Sequence, residues 1–301
     1  MRVKFPIVGV LAVATIALAG CSAPAPEATG GAIRVVASTN VYGDIAKQIG
    51  GDRVLVDSII SNPAQDPHSF EADAQVQLSL SKANVVVENG GGYDVFVDTL
   101  LTGANNAGAT KVNATAVSGY PQTGQFNEHL WYDFATVKKL VVKLVSVFTT
   151  LDAAGAGTFT ANAAKFSDAL DTLQAGEAGI KADFGGEGVA ITEPVPLYLL
   201  EASGLTNKTP VSFSAAIEQG TDVSPVVLRQ TLSLFSAHSV KLLAYNEQTS
   251  GSETEQVLAA AKRASVPVVA FSETLPSGKD YVRWMTDNLA ALKTALKTAP
   301  Q

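Results

Sequence analysis

Two histidines and two glutamates carry most of the chemistry open to this chain. His68 stands in the turn Asn62-Pro63-Ala64-Gln65-Asp66-Pro67-His68-Ser69-Phe70-Glu71-Ala72-Asp73, and His129 in Phe126-Asn127-Glu128-His129-Leu130-Trp131-Tyr132-Asp133. The two prolines ahead of His68 fix φ and remove backbone donors, so its ring is aimed at little entropic cost. Imidazole is neutral near pH 7 and binds borderline metals when the fold brings further nitrogen or carboxylate ligands to it. Histidine is scarce, with three among 301 residues, and two of the three lie in such loops.

The carboxylates come from the other half of the chain. Glu193 directly follows the apolar run Val189–Thr192, and Glu273 closely follows Val266–Phe271. Two imidazoles and two carboxylates suit manganese, iron or zinc. A carboxylate after a strand often does no more than cap a helix. Glu273, however, precedes Thr274-Leu275-Pro276 and has no helix to cap at once, which favours a ligand. Glu247 reads as a solvated acid and His238 as a surface residue.

These residues need strands to deliver them. Ile33–Ser38, Val54–Ile60, Ala83–Glu88 and, more weakly, Thr110–Ala114 read as strands, with helical spacing at Asn40–Ile49, Asp73–Lys82 and Tyr93–Leu101. Val54–Ile60 leads into the His68 turn, the usual position of a ligand loop in an α/β sheet. Asn89-Gly90-Gly91-Gly92-Tyr93-Asp94 lacks the spacing and lysine of a phosphate loop and reads as a tight turn. Phe134 to Leu151 is an amphipathic helix, and a long helix from about Phe159 to Phe184 could cross between two lobes. A second α/β pattern follows Gly185 to Gly188: strands at Val189–Thr192, Val240–Tyr245 and Val266–Phe271, and helices at Leu197–Ala202, Ser224–His238, Thr254–Ala264 and Tyr281–Lys297. The expected organisation is a leader over 1–20, a tether over 21–31, a lobe over 32–154, a linking helix over 155–184 and a second lobe over 185–301.

The N-terminus reads as a targeting segment. Arg2 and Lys4 precede the apolar run Ile7–Ala19, too short for a convincing membrane span, and Leu18-Ala19-Gly20-Cys21 matches the bacterial lipoprotein processing box. Cys21 is the single cysteine and is expected to become a lipidated mature end carrying at least two acyl chains, since one chain anchors only marginally. Removing residues 1–20 takes two of 21 Lys and Arg and none of 28 Asp and Glu, leaving 19 against 28, a formal charge of −9. That balance speaks against a nucleic-acid partner.

Taken together, Asp66-Pro67-His68-Ser69-Phe70-Glu71, Glu88–Asp94, Asn127–Asp133, Thr192-Glu193-Pro194, Tyr245–Gln248 and Ser272–Pro276 resemble the solute-binding lipoproteins of zinc and manganese ABC transporters, over nearly all of the mature chain. The resemblance implies two α/β lobes joined by one long helix, with a metal bound in the cleft between them. It also implies a monomer on the extracytoplasmic face of the cell membrane, no enzymatic activity, and delivery of Mn2+ or Zn2+ to an ABC permease with a cytoplasmic ATPase. Carried over position by position, its ligands fall on His68, His129, Glu193 and Glu273. Zinc-type members often have histidine at the third position and manganese-type members glutamate, while many members have aspartate at the fourth; the pattern leans towards manganese. The rival from the residues alone is a membrane-anchored zinc hydrolase. It would need an open coordination position, and no His-Glu-x-x-His pattern occurs.

Overall fold

The computed structural model describes residue 1 and residues 31–62, 70, 74–124 and 126–299. Cys21 and His68 lie outside the described residues. One sheet is built from β1 (Ile33–Thr39), β2 (Val54–Ile60), β3 (Val85–Glu88) and β4 (Thr110–Asn113), all parallel in the order β2-β1-β3-β4. Another repeats the topology with β5 (Gly188–Ile191), β6 (Thr206–Asn207), β7 (Leu243–Asn246) and β8 (Val268–Phe271), in the order β6-β5-β7-β8. The helices are α1 (Asn40–Gly50), α2 (Ala74–Ser81), α3 (Phe96–Gly103), α4 (Ala114–Ser118), α5 (Phe134–Leu151), α6 (Ala156–Phe184), α7 (Leu197–Ala202), α8 (Val211–Glu218), α9 (Pro225–Ser236), α10 (Ser252–Arg263) and α11 (Tyr281–Thr298). The expected α/β class with two lobes and a long joining helix is the fold observed.

Strand periodicity explains the layering. In β3, Val85 and Val87 enter the main core while Val86 turns the other way, into a smaller cluster with Val36, Leu80 and Val97. In β5, Val189 and Ile191 join that same main core and Ala190 faces a separate cluster with Phe213, Phe235 and Val257. Parallel strands covered on both faces read as continuous apolar runs, which is why these were legible. Tight layers also need small residues: a Cβ on Gly43 of α1 would lie 2.1 Å from Ser58 Oγ on β2.

The main core is shared by both lobes, because α5, α6 and α11 pack in it alongside residues of β1, β3, β5 and β8. Residues 32–301 form one compact unit. At about 1.5 Å per residue the 29-residue α6 runs roughly 43 Å. Its buried stripe is Phe159, Phe166, Leu170, Leu173 and Ile180, and it includes one acid, Glu177. Further ties run between lobes: Asn40 brackets Leu275, accepting from its N–H at 2.8 Å and donating to its carbonyl at 2.9 Å, and Asp44 accepts from the Tyr281 N–H at 2.9 Å.

The structure departs from the sequence reading in several places, and at α3 the cause is local. α3 starts at Phe96 rather than Tyr93 because Gly90, Gly91 and Gly92 all take positive φ, and the Asp94 carboxylate ties the turn by accepting from the Asn89 and Gly90 N–H groups at 2.6 and 2.8 Å. β7 and β8 begin at Leu243 and Val268, later than their apolar runs suggested. The helices α4 and α8 and the two-residue β6 were not anticipated.

Candidate metal centre

Strand order places the site. In each sheet the connections reverse between the first-formed strand and its inner neighbour, β1 and β3 in one, β5 and β7 in the other; loops at the carboxyl ends flanking such a point form a crevice. Glu193 lies just past β5, Asn246 ends β7 and Glu273 lies just past β8. All three are buried, at 4 %, 1 % and 1 % exposure. Glu193 Oε2 accepts from Asn246 Nδ2, and the same amide nitrogen donates to Glu273 Oε1 at 2.9 Å.

His129 comes from the other lobe and is fully buried. It precedes the single helical turn Leu130–Tyr132 ahead of α5, and its ring packs edge-on against Tyr93 and Trp131, centroids 6.0 and 5.2 Å away. Asn127 settles its tautomer. The His129 backbone N–H can only donate, so the atom it meets at 3.1 Å is the Asn127 Oδ1; that same oxygen lies 2.7 Å from Nδ1, which therefore carries a proton. Nε2 is the ring nitrogen that could hold a metal, and it faces Glu273 Oε2 at 3.8 Å. Two donor atoms at that spacing can share one ion about 2.0–2.2 Å from each. The loop is bound to the opposite lobe as well: Asn127 Nδ2 donates to the Pro194 carbonyl at 3.1 Å, Tyr198 OH to the Asn127 carbonyl at 2.8 Å, and Tyr132 OH to the Ser272 carbonyl at 2.8 Å.

Replacing Asn127 by alanine is expected to weaken metal binding by about 10- to 100-fold, the usual cost of losing an outer partner of a ligating histidine. Titration calorimetry of the variant checks this; affinity equal to the parent's would show that the tautomer is set elsewhere.

On its Nδ1 side His129 meets acids that the sequence did not suggest. Glu218, the last residue of α8, places Oε1 3.8 Å from Nδ1, and Glu128, His129 and Glu218 can bring one ligand atom each within 4.8 Å of one another. A cavity of about 780 Å³ lies beside them, lined by Gly91, Phe126, Asn127, Glu128, Pro194 and Glu218 among others. The sequence-expected set is wider than this cluster, because Glu193 and Glu273 meet through Asn246 rather than directly.

The electrostatics are those of a cation site. Burial opposes charge on His129, but hydrogen bonding and charge from Glu273, then the charges of Glu218 and Glu128, carry its pKa up to about 9. Burial pushes Glu193 up to about 7 against the Asn246 hydrogen bond, with the Glu273 charge adding to the rise. Burial likewise takes Glu218 up to about 7, against the pull of His129. Acids crowded around one protonated imidazole are better satisfied by a divalent ion, which releases that proton on binding. Of the sequence-expected ligands, His129, Glu193 and Glu273 converge and His68 is outside the described residues; Glu247 and His238 are exposed, as anticipated.

The chain matches the family model described as zinc-uptake complex component A, periplasmic, over residues 35–295. It is 25 % identical over 169 residues to a manganese-binding lipoprotein of Halalkalibacterium halodurans, covering 55 % of this chain and 56 % of the relative. It is 24 % identical over 176 residues to a manganese ABC transporter substrate-binding lipoprotein of Streptococcus anginosus, covering 54 % and 57 %. The chain thus spans about half the length of these curated relatives. Among solved structures, ZnuA superposes with a TM-score of 0.73 at 20 % identity, covering 89 % of this chain and 99 % of the other. The solute-binding protein FpvC of Pseudomonas aeruginosa, in complex with Mn2+, superposes at 0.71 with 22 % identity, covering 88 % and 98 %.

Proposed function

This chain belongs to the family of periplasmic zinc-uptake component A proteins, and from that premise we propose that it is the extracytoplasmic solute-binding component of an ABC importer, capturing one divalent transition metal, manganese or zinc, as cargo. The observation that carries this reading is the convergence, from opposite lobes, of His129 Nε2 on Glu273 Oε2, with Glu193 joined to Glu273 through Asn246. His68, His129, Glu193 and Glu273 are the proposed ligands. The cargo passes to a membrane permease driven by a cytoplasmic ATPase. The family match speaks for transport over the zinc-hydrolase alternative.

The division into lobes 32–154 and 185–301 about helix 155–184 is proposed to mark the parts that shift when metal exchanges. The shared core and the Asn40–Leu275 and Asp44–Tyr281 ties favour a small rocking motion over a wide hinge. Gly186, with φ +92° just past α6, suits the place of the backbone change. Anchoring through Cys21 on the outer face of the cell membrane, with the protein acting as a monomer, completes the proposal. Among the described residues no helix is long and apolar enough to cross a membrane.

The test is metal content after growth with manganese and zinc both supplied, together with cell fractionation of Cys21→Ser. One equivalent of metal per chain is expected, and the Cys21→Ser protein should leave the membrane fraction with its metal retained. Purified protein without metal would contradict the cargo assignment, and membrane retention of the variant would contradict the anchor.

A further inference from the structure

The Glu273 carboxylate meets Asn246, His129 and the Tyr93 hydroxyl. Oε1 accepts from Asn246 Nδ2 at 2.9 Å, while Oε2 faces His129 Nε2 at 3.8 Å. Glu193 gives its Oε2 to the same amide nitrogen, whose remaining neighbour is Thr249 Oγ1 at 3.2 Å. Asn246 has little freedom to move: its backbone N–H donates to Thr192 Oγ1 at 2.9 Å, and its Oδ1 accepts from the Gln248 N–H at 3.1 Å. Because a backbone N–H can only donate, that second bond fixes which end of the amide is oxygen and so aims the NH2 group at the acids.

We propose that Asn246 is a specificity-determining positioning residue: by holding one oxygen of each buried glutamate, it leaves each glutamate a single oxygen for the ion. The pair then supplies two donor atoms where two bidentate carboxylates would supply four. This inference rests on the reading of the site as a metal-binding one. A neutral amide suits the task, since it bridges two acids without cancelling the negative charge that attracts the ion, whereas a lysine in its place would cancel part of it. Few, short donors favour tetrahedral zinc, and manganese prefers an oxygen-rich octahedral shell. Asn246 therefore tilts the site towards zinc, against the manganese lean of Glu193 itself.

X-ray absorption on the zinc-loaded protein tests this, alongside zinc and manganese affinities by competition. The wild type is expected to show four nitrogen or oxygen neighbours at about 2.0 Å. In Asn246→Ala and in the similarly sized Asn246→Leu, five or six neighbours are expected, with a zinc-to-manganese affinity ratio about tenfold lower. Thermal unfolding of the metal-free variants separates lost fold from lost positioning. A folded variant with unchanged neighbour count and unchanged affinity ratio overturns the proposal. If neither variant folds, the wild type still decides, because five or six neighbours there overturn it too. A wild type that takes up neither metal removes the proposed function and this assignment with it, whereas a wild type that binds with both carboxylates bidentate removes this assignment alone.

Discussion

His129→Ala is expected to abolish tight metal binding, lowering affinity by about a thousandfold or more, roughly 4 kcal/mol. The imidazole is fully buried, its Nδ1 proton is committed to Asn127, and its Nε2 is the one imidazole nitrogen that the described residues bring to Glu273. Alanine leaves a gap that water can enter, but water is a weaker donor and is not held in line by Tyr93 and Trp131. It also leaves Glu193 and Glu273 buried near each other without the positive partner that now moderates them, so the metal-free variant should lose stability as well. Titration calorimetry against Mn2+ and Zn2+ reads the affinity. The exposed His238 provides the control, and His238→Ala should bind as the parent does. Equal affinities for the parent and His129→Ala would move the site away from the cleft.

A second large effect is expected at Glu177, inside the helix that joins the lobes. Glu177 falls between Leu173 and Ile180 on the buried stripe of α6; burial first, and then the charge of Asp133 at the start of α5, raise its pKa to about 8. Tyr281 of α11 also feels its charge. An unfolded glutamate titrates near 4.3, so the folded state holds this proton through a pH range in which the unfolded state has released it. Stability therefore falls as pH rises from about 4.5 to 8 and levels off above that. Glu177→Gln keeps the shape and removes the titration. It is expected to match the parent near pH 4.5 and to be more stable by on the order of 3 kcal/mol at pH 8. Urea unfolding at the two pH values checks this. A variant no more stable than the parent at pH 8 would mean that the carboxylate is solvated as α6 sits in solution.

Legibility in the sequence followed the range of the interactions involved. β3 and α5 were readable because period and burial are local properties: Val85 to Val87 form one apolar run, and the spacing from Phe134 to Phe148 marks one face. His129 and Glu273 were readable because a histidine or an acid beside an apolar run is conspicuous. Glu218 was not, since α8 follows Pro210 without a long periodic pattern and its acid acquires meaning only when α8 packs beside the His129 loop. Asn246 was passed over for its charged neighbour Glu247. Strand parity was the available signal: Asn246 continues the Ala244 side of β7 into the buried interior, while Glu247 emerges into solvent. The tight turn over Asn89 to Asp94 was expected, but the delay of α3 to Phe96 depended on the Asp94 carboxylate reaching back to two N–H groups.

Two constellations now share His129, one on each side of its ring, and a crystal of the metal-loaded protein separates them. Anomalous diffraction at the zinc or manganese edge should give one peak per chain, within bonding distance of His129 Nε2, Glu193 and Glu273, with Nδ1 still donating to Asn127. A peak among Glu128, His129 Nδ1 and Glu218, or no peak in the cleft, would contradict the account.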